Sequence, residues 1–285
     1  MVYGWVRDHN RLSDGEYRYR SVSKSVEYVY VDHGYYDIRH WTFYNPRQPL
    51  SVPAGIVGHM LYFYYLYQYV TSSRYWTSLI FNVTYGYWCG FGITAGGHRL
   101  WAHRTYSAHW SVRLWLAIGF TISAEGTVLD WARGHRVHHK WSDTDSDPHN
   151  AKRSFWFAHV GWLFQREHPD VIRAERQIRT FDLESDPVVM WQHKYYLPLL
   201  YFWSGLVPIF LHWYWIGDHW YEAAIFGGIL RNIQAFHSAA FVNSAAHMFG
   251  QRPYNSNIIP SENMAVSLGA MGEGMTTFVP QFSLN

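Results

Sequence analysis

Five of the 18 histidines fall into two short groups about thirty residues apart, HRLWAH (His98 to His103) and HRVHH (His135 to His139). Neutral imidazole is the commonest protein ligand for iron, copper and zinc, so such clustering points to a metal centre. In HRVHH the i, i+3, i+4 spacing puts His135, His138 and His139 on one face of a helix, where the rings can converge. His98 and His103 are five apart, about 140° around an ideal α-helix, and can act together only at a helix end or around two metals. Asn243 and His247, at i, i+4, form a third element on one helical face. Asp143, Asp145 and Asp147 imitate the opening of an EF-hand loop. Pro148 fills the glycine position, however, and Ser154 the closing-carboxylate position, so this stretch reads as a solvated turn.

The elements that must position these residues read as membrane helices. Residues 52–70 and 75–97 contain no Asp, Glu, Lys or Arg, nor does 195–217, and 223–246 is interrupted only by Arg231. Each run is about as long as the ~20 residues a bilayer helix needs, which predicts four spans. Residues 114–124 are uncharged over too short a stretch to cross and end at Glu125, which suggests an interfacial or re-entrant helix. Of the 23 Lys and Arg, seven lie in residues 1–50 and thirteen between Arg99 and Lys194, with only Arg74 in the short connections after the first and third spans. That asymmetry places both ends, the large middle loop and both histidine groups on the cytosolic side. A water-soluble helical protein is the competing reading, kept open by the 20% aromatic content.

Arg7, Asp8, Arg11 and Asp14 break any apolar stretch near the start, so the first span is expected to serve for insertion. The single Cys89 excludes a disulfide framework and a cysteine zinc site, and a net charge of +2 argues against a nucleic-acid partner. Residues 1–50 read as a cytosolic lead-in, 51–274 as the membrane domain and 275–285 as a divergent tail.

The segments GITAGGHRLWAHRTYSA, WARGHRVHHKWSDTDSDPHNAKRSFWFAHVGWL, DLESDPVVMWQ and FVNSAAHMFGQRPYNSNIIPSENMAVSLGAMGEG, between Gly92 and Gly274, resemble the membrane acyl-CoA desaturases of the stearoyl-CoA Δ9 type. The resemblance implies an all-α integral membrane fold, four spans with a cytosolic helical cap carrying a histidine-rich diiron site, in the endoplasmic reticulum. It also implies a cis double bond placed at Δ9 of a saturated fatty acyl-CoA, with O2 as co-substrate and electrons from cytochrome b5. Carried over residue by residue, the iron ligands are His98, His103, His135, His138, His139 and His247, with Asn243 binding through water. Arg133 and Arg166 fall where the family contacts CoA.

The sequence also departs from the family. A third histidine box of the form HxxHH is expected after Gly272-Glu273-Gly274, yet its positions hold Thr276, Val279 and Pro280. Gly126, Gly134, Glu167 and Ala240 replace, in turn, an Asn, an Asp, a basic residue and a Trp around the substrate. These differences predict a truncated form with impaired iron loading. A non-catalytic relative that binds acyl chains or assembles with an active desaturase is the second expectation, and a diiron lipid hydroxylase the third. His159 and His237 are spare, but His237 lies almost three helical turns before His247 and is a poor substitute for a missing ligand.

Overall fold

The computed structural model describes residues 4–11, 17–23, 26–32, 51–72, 76–165, 167–252 and 261–273. The region carrying the histidines is helical, as expected. The first 32 residues add what an all-α reading misses, a three-stranded antiparallel meander of β1 (Gly4–Arg11), β2 (Tyr17–Ser23) and β3 (Val26–Asp32). β2 and β3 pair in continuous register from Tyr17↔Asp32 to Ser23↔Val26, whereas the β1–β2 register shifts between Arg7 and Arg11. The signal was present in VEYVYVD and YRYRSVS, whose aromatic and β-branched residues suit a pleated surface.

Helix α1 (Ser51–Thr71) is followed by α2 (Trp76–Phe91), which runs without a break into a π-helical stretch, Gly92–Ala102. Two shorter helices, α3 (Trp110–Ile122) and α4 (Val128–Lys140), come next. After the middle segment, an apolar helix covers Tyr196–Ile216, and a continuous helix from Trp220 to Met248 ends in the Arg231–Met248 portion that carries Asn243 and His247.

Among the described residues, only Tyr196–Ile216 is both long and apolar enough to cross a membrane, with a mean hydropathy of 1.3 over its most apolar window, and 17% of that window is buried. The other expected spans fall short of that test because Tyr, Trp, His and Gly depress their hydropathy. Their outward faces are nonetheless apolar: Met60, Phe63, Ile80 and Phe91 are exposed on α1 and α2. The shorter apolar helix α3 buries Leu116, Ala117 and Phe120 while exposing Trp110 and Trp115.

The main core joins Leu100, Trp101, Leu116, Phe120, Val128, Leu129, Ala132, Leu183 and Val189, so it sits directly beneath both histidine groups. Gly92 lets the π-helical stretch meet α3 backbone to backbone, since a Cβ there would lie 2.0 Å from Phe120 N. Gln192 fixes the start of α4 by accepting from Val128 N (3.0 Å) while donating to Thr121 Oγ1 (3.1 Å).

The one charge within the last apolar run, Arg231, is buried and fully used. It donates to Gly227 O (3.2 Å), Ile122 O (3.1 Å) and Ser204 O (2.9 Å), tying together three helices that share no charge pair at this point. Arg231→Leu strands the Ile122 and Ser204 carbonyls in an apolar interior. A loss of about 3 kcal/mol or more is expected, visible as a lower thermal midpoint of the detergent-solubilised protein; an unchanged midpoint contradicts the clamp.

Candidate metal centre

Four imidazoles, those of His98, His103, His135 and His139, offer ring nitrogens that all lie within 4.8 Å of one another. The pairing of His98 with His103 depends on backbone winding. The Gly92–Ala102 stretch is π-helical, and His103 N donates to His98 O (2.9 Å), closing an i→i+5 turn. A π-turn brings residues five apart onto one side, and these two ring centroids lie 4.5 Å apart. An α-helix would have turned them away from each other.

HRVHH divides between two directions. His135 and His139, one turn apart on α4, face the first group, with centroids 4.7 Å (His98–His135) and 4.6 Å (His103–His139) apart. His138 turns instead toward His247, at 5.1 Å between rings. The three imidazoles expected to converge on one point thus serve two neighbouring clusters.

The guanidinium of Arg136, within the same motif, holds the two groups together. It is buried, donates to Trp101 O (2.7 Å) and Ala102 O (3.0 Å) at the end of the π-helical stretch, and reaches Arg179 O (2.7 Å) and both oxygens of Asp182. Trp131, one turn before His135, stacks on its ring (4.7 Å, 9°) and donates its indole N–H to Glu125 Oε2 (2.8 Å). Burial pushes the Glu125 carboxyl up to about 7, against the opposing effect of that hydrogen bond.

Carboxylates orient the remaining rings. His138 Nδ1 donates to Asp147 Oδ1 (2.7 Å), and His247 Nδ1 lies 3.3 Å from Asp143 Oδ2. Glu273 Oε2 sits 2.6 Å from His98 Nδ1, in ion-pair range though off the line of a hydrogen bond. The reading of Asp143 and Asp147 as a solvated turn is therefore overturned. Both are buried, at 2% and 3% exposure, because each carboxylate also takes backbone N–H groups, from Ala151 to Asp143 and from Asp143 and His149 to Asp147. Acids in this role fix the ring orientation and tautomer of metal-binding histidines. A sequence signal existed in the DxDxD run, but its resemblance to a calcium loop concealed it.

The electrostatics favour metal binding. Burial, reinforced by the neighbouring rings, holds His135 and His139 well below the ordinary imidazole range and lowers His103 to about 3. These rings are neutral near pH 7 and have lone pairs to give. His138 goes the other way, since the Asp147 carboxylate outweighs burial and raises it.

Other expected site residues are placed less decisively. Asn243 lies half-buried one turn before His247. Arg133 projects from α4, held by Asp130 (2.9 Å), and Arg166 lies outside the described residues, as do Thr276, Val279 and Pro280. His237 and His159 form a separate group with His59. His237 Nε2 pairs with His59 Nε2 (2.9 Å) and its Nδ1 with His159 Nε2 (3.0 Å), while His159 Nδ1 meets Ser244 Oγ (2.9 Å), so their nitrogens are spent on one another.

Two predictions follow from this geometry. Arg136→Met removes the tie between α4 and the end of the π-helical stretch. Metal affinity, measured by cobalt titration, should fall roughly 10–100-fold, as for other supporting residues; unchanged affinity rules out the positioning role. Acidification should destabilise the metal-free protein. Below the ordinary imidazole pKa of ~6.5 the unfolded chain binds protons that folded His103, His135 and His139 refuse, so stability is lost as pH falls. Asp147, held below the usual carboxylate range by His138 against burial, acts in the same direction at lower pH, while His138 and Glu125, both raised, oppose the trend above it. The denaturation midpoint at pH 5 should lie below that at pH 7, and the reverse order contradicts the neutral-ring assignment.

No family model matches the chain, but curated proteins do. It is 44% identical over 236 residues to an acyl-CoA Delta-9 desaturase of Acheta domesticus, covering 80% of this chain and 66% of the relative. It is 42% identical over 213 residues to the stearoyl-CoA desaturase of Homo sapiens (75% and 59%). Identity to an acyl-CoA Delta(11) desaturase of Spodoptera littoralis is 40% over 220 residues (77% and 64%). The chain thus spans less than two thirds of the length of these relatives. With the segments that carry the histidines, these identities settle the family: the chain belongs to the acyl-CoA desaturases.

Proposed function

We propose that this protein is an acyl-CoA desaturase, inserting a cis double bond into a saturated fatty acyl-CoA with O2 and electrons from cytochrome b5. The observation that carries the reading is the convergence of four imidazoles from two chain segments, with His138 and His247 beside them. The fit to iron is chemical. Imidazole donors with no thiolate among them suit iron, and buried acids on the outer nitrogens hold the rings for binding. On this reading His98, His103, His135, His138, His139 and His247 hold two iron ions, with Asn243 within reach through water.

Iron bound there supplies the oxidising power that removal of hydrogen from an unactivated methylene demands. The chain's own residues do the rest. The ring cluster is part-buried, which limits its contact with bulk water, and Trp131, itself held by Glu125, stacks on His135. Arg133, on α4, is read as the residue that meets the CoA phosphates, with Arg166 as its expected partner. Four spans, with both termini cytosolic, in the endoplasmic reticulum membrane agree with the exposed apolar faces of α1, α2 and the Tyr196–Ile216 helix. A Δ9 product is the first expectation, although one of the similar proteins is named for Δ11.

The test is purified protein reconstituted with iron, cytochrome b5 and its reductase, and supplied with stearoyl-CoA. Formation of an unsaturated acyl-CoA that disappears with His135→Ala supports the proposal. A hydroxylated product, or none despite two bound irons, defeats it.

A further inference from the structure

Three histidines that the metal-centre reading leaves unused, His59, His237 and His159, form a continuous row outside it. His237 lies on the Arg231–Met248 helix, against which both α1, carrying His59, and the π-helical turn Phe157–Gly161, carrying His159, pack. His59 Nδ1 is 2.6 Å from Gly55 O, and His59 Nε2 is 2.9 Å from His237 Nε2. His237 Nδ1 is 3.0 Å from His159 Nε2, and His159 Nδ1 is 2.9 Å from Ser244 Oγ, whose hydroxyl reaches Ala240 O at 2.8 Å. Burial deepens along the row. His59 and His237 are half-buried, His159 is 4% exposed, and Ser244 is fully enclosed, one residue after Asn243 and three before His247.

Both ends of the row are carbonyl oxygens, which can only accept, so counting protons fixes what the row can do. A neutral imidazole brings one N–H and a hydroxyl one O–H. Three rings and one serine therefore bring four protons to five contacts, all of hydrogen-bond length. One contact is always left with two lone pairs face to face, and the gap moves one place whenever the ring between the two places changes tautomer. A fifth proton closes the gap and puts one positive charge on the row. No fixed charge pins it: among the described residues no carboxylate pairs with His59, His237 or His159, whereas Asp147 holds His138 and Asp143 holds His247. The rings of Phe155, Phe236 and Phe241 lie against them instead. Burial lowers the His159 imidazole below its ordinary range, so that ring rests neutral near pH 7.

We propose that His59, His237 and His159 are a proton relay, carrying protons from half-buried His59 inward to Ser244 for the reduction of O2. His59 takes up a proton at Nδ1 and passes its Nε2 proton to His237 Nε2. His237 passes its Nδ1 proton to His159 Nε2, and His159 passes its Nδ1 proton to Ser244 Oγ, which gives up its own. One proton enters and one leaves, each hop breaks one bond to hydrogen as the next forms, and no electrons move. The inference rests on the proposed desaturation, whose balance calls for protons: O2 becomes two waters with two hydrogens from the acyl chain, two electrons from cytochrome b5 and two protons from the medium.

Two measurements on the full-length chain in lipid bilayers test the relay. The first needs neither metal nor turnover: solid-state NMR of the metal-free protein labelled with 15N in its histidines. The row is expected to show imidazole nitrogens averaged between their protonated and bare positions, and His237→Gln should freeze His59 and His159 into single tautomers. Three rings each locked in one tautomer in the wild type overturn the proposal, whether or not a variant folds. The second follows product formation from stearoyl-CoA in H2O and D2O. In His237→Gln the amide still donates and accepts but does not pass protons, so turnover should fall about 100-fold with a larger solvent isotope effect. His237→Ala should regain rate when imidazole is added. A wild-type rate and isotope effect in His237→Gln overturn the relay. Averaged nitrogens in a chain that forms no product support the row as a proton carrier and count against the proposed desaturation alone.

Discussion

The candidate metal centre depends on one buried guanidinium. Arg136 stands between the histidines of its own motif and donates to the carbonyls that end the π-helical stretch, to Arg179 O and to Asp182. The last carbonyls of any helix lack partners within it, and leaving them unsatisfied in a buried setting is expensive. Here a side chain from α4 satisfies them, so closing the helix end and docking the second histidine group are a single event. A lysine could not replace it, because an ammonium lacks the planar fork that spans two carbonyls and a bidentate carboxylate. Arg104 supports the same arrangement from outside, with its Nε 2.9 Å from Asp182 Oδ2.

That anchoring allows two clusters of different electrostatic character to sit side by side. The His98, His103, His135 and His139 rings press on one another, and their mutual repulsion when charged reinforces the effect of burial. Among the carboxylates of the described residues, it is Glu273 that approaches this group, at His98. Across α4, His138 and His247 each face a buried aspartate. A carboxylate on the outer nitrogen makes an imidazole a stronger donor, so ions in the two places would experience different ligand fields although both are bound by histidine. Two histidine groups with unequal surroundings give one fold two chemical environments side by side.

Which parts of this were legible in the sequence follows from what each signal encodes. The histidine groups were legible because ligand type and spacing are local. The approach of His98 to His103 was not, since an α-helical wheel assigns five-residue spacing to different faces, and nothing in GITAGGHRLWA beyond its glycines announces a π-turn. Asp143 and Asp147 were misread because burial of an acid depends on partners far along the chain: His247 is 104 residues from Asp143. The anchoring role of Arg136 is non-local in the same way, since its partner Asp182 is 46 residues away. The N-terminal strands, by contrast, were written locally in VEYVYVD and were passed over in favour of a polar lead-in.

The helices expected to span a membrane show the limit of composition most clearly. Hydropathy scores residue types, whereas a bilayer responds to which atoms remain unpaired. Asn82, His212 and Ser78 count against their segments, yet with Asp218 in the adjoining connection they satisfy one another in the interior: Ser78 Oγ donates to Asp218 (2.8 Å), His212 bridges Asp218 and Asn82, and Asn82 Nδ2 donates to Phe226 O (3.2 Å). Arg231 is satisfied likewise by carbonyls of neighbouring helices. The outward faces meanwhile present Met60, Phe63, Ile80, Leu206 and Phe210. A helix that turns most of its polar groups inward and pairs them there presents a mainly apolar outer surface, whatever its average score. The same inward pairing delivers the ends of these helices, and the imidazoles they carry, to fixed positions.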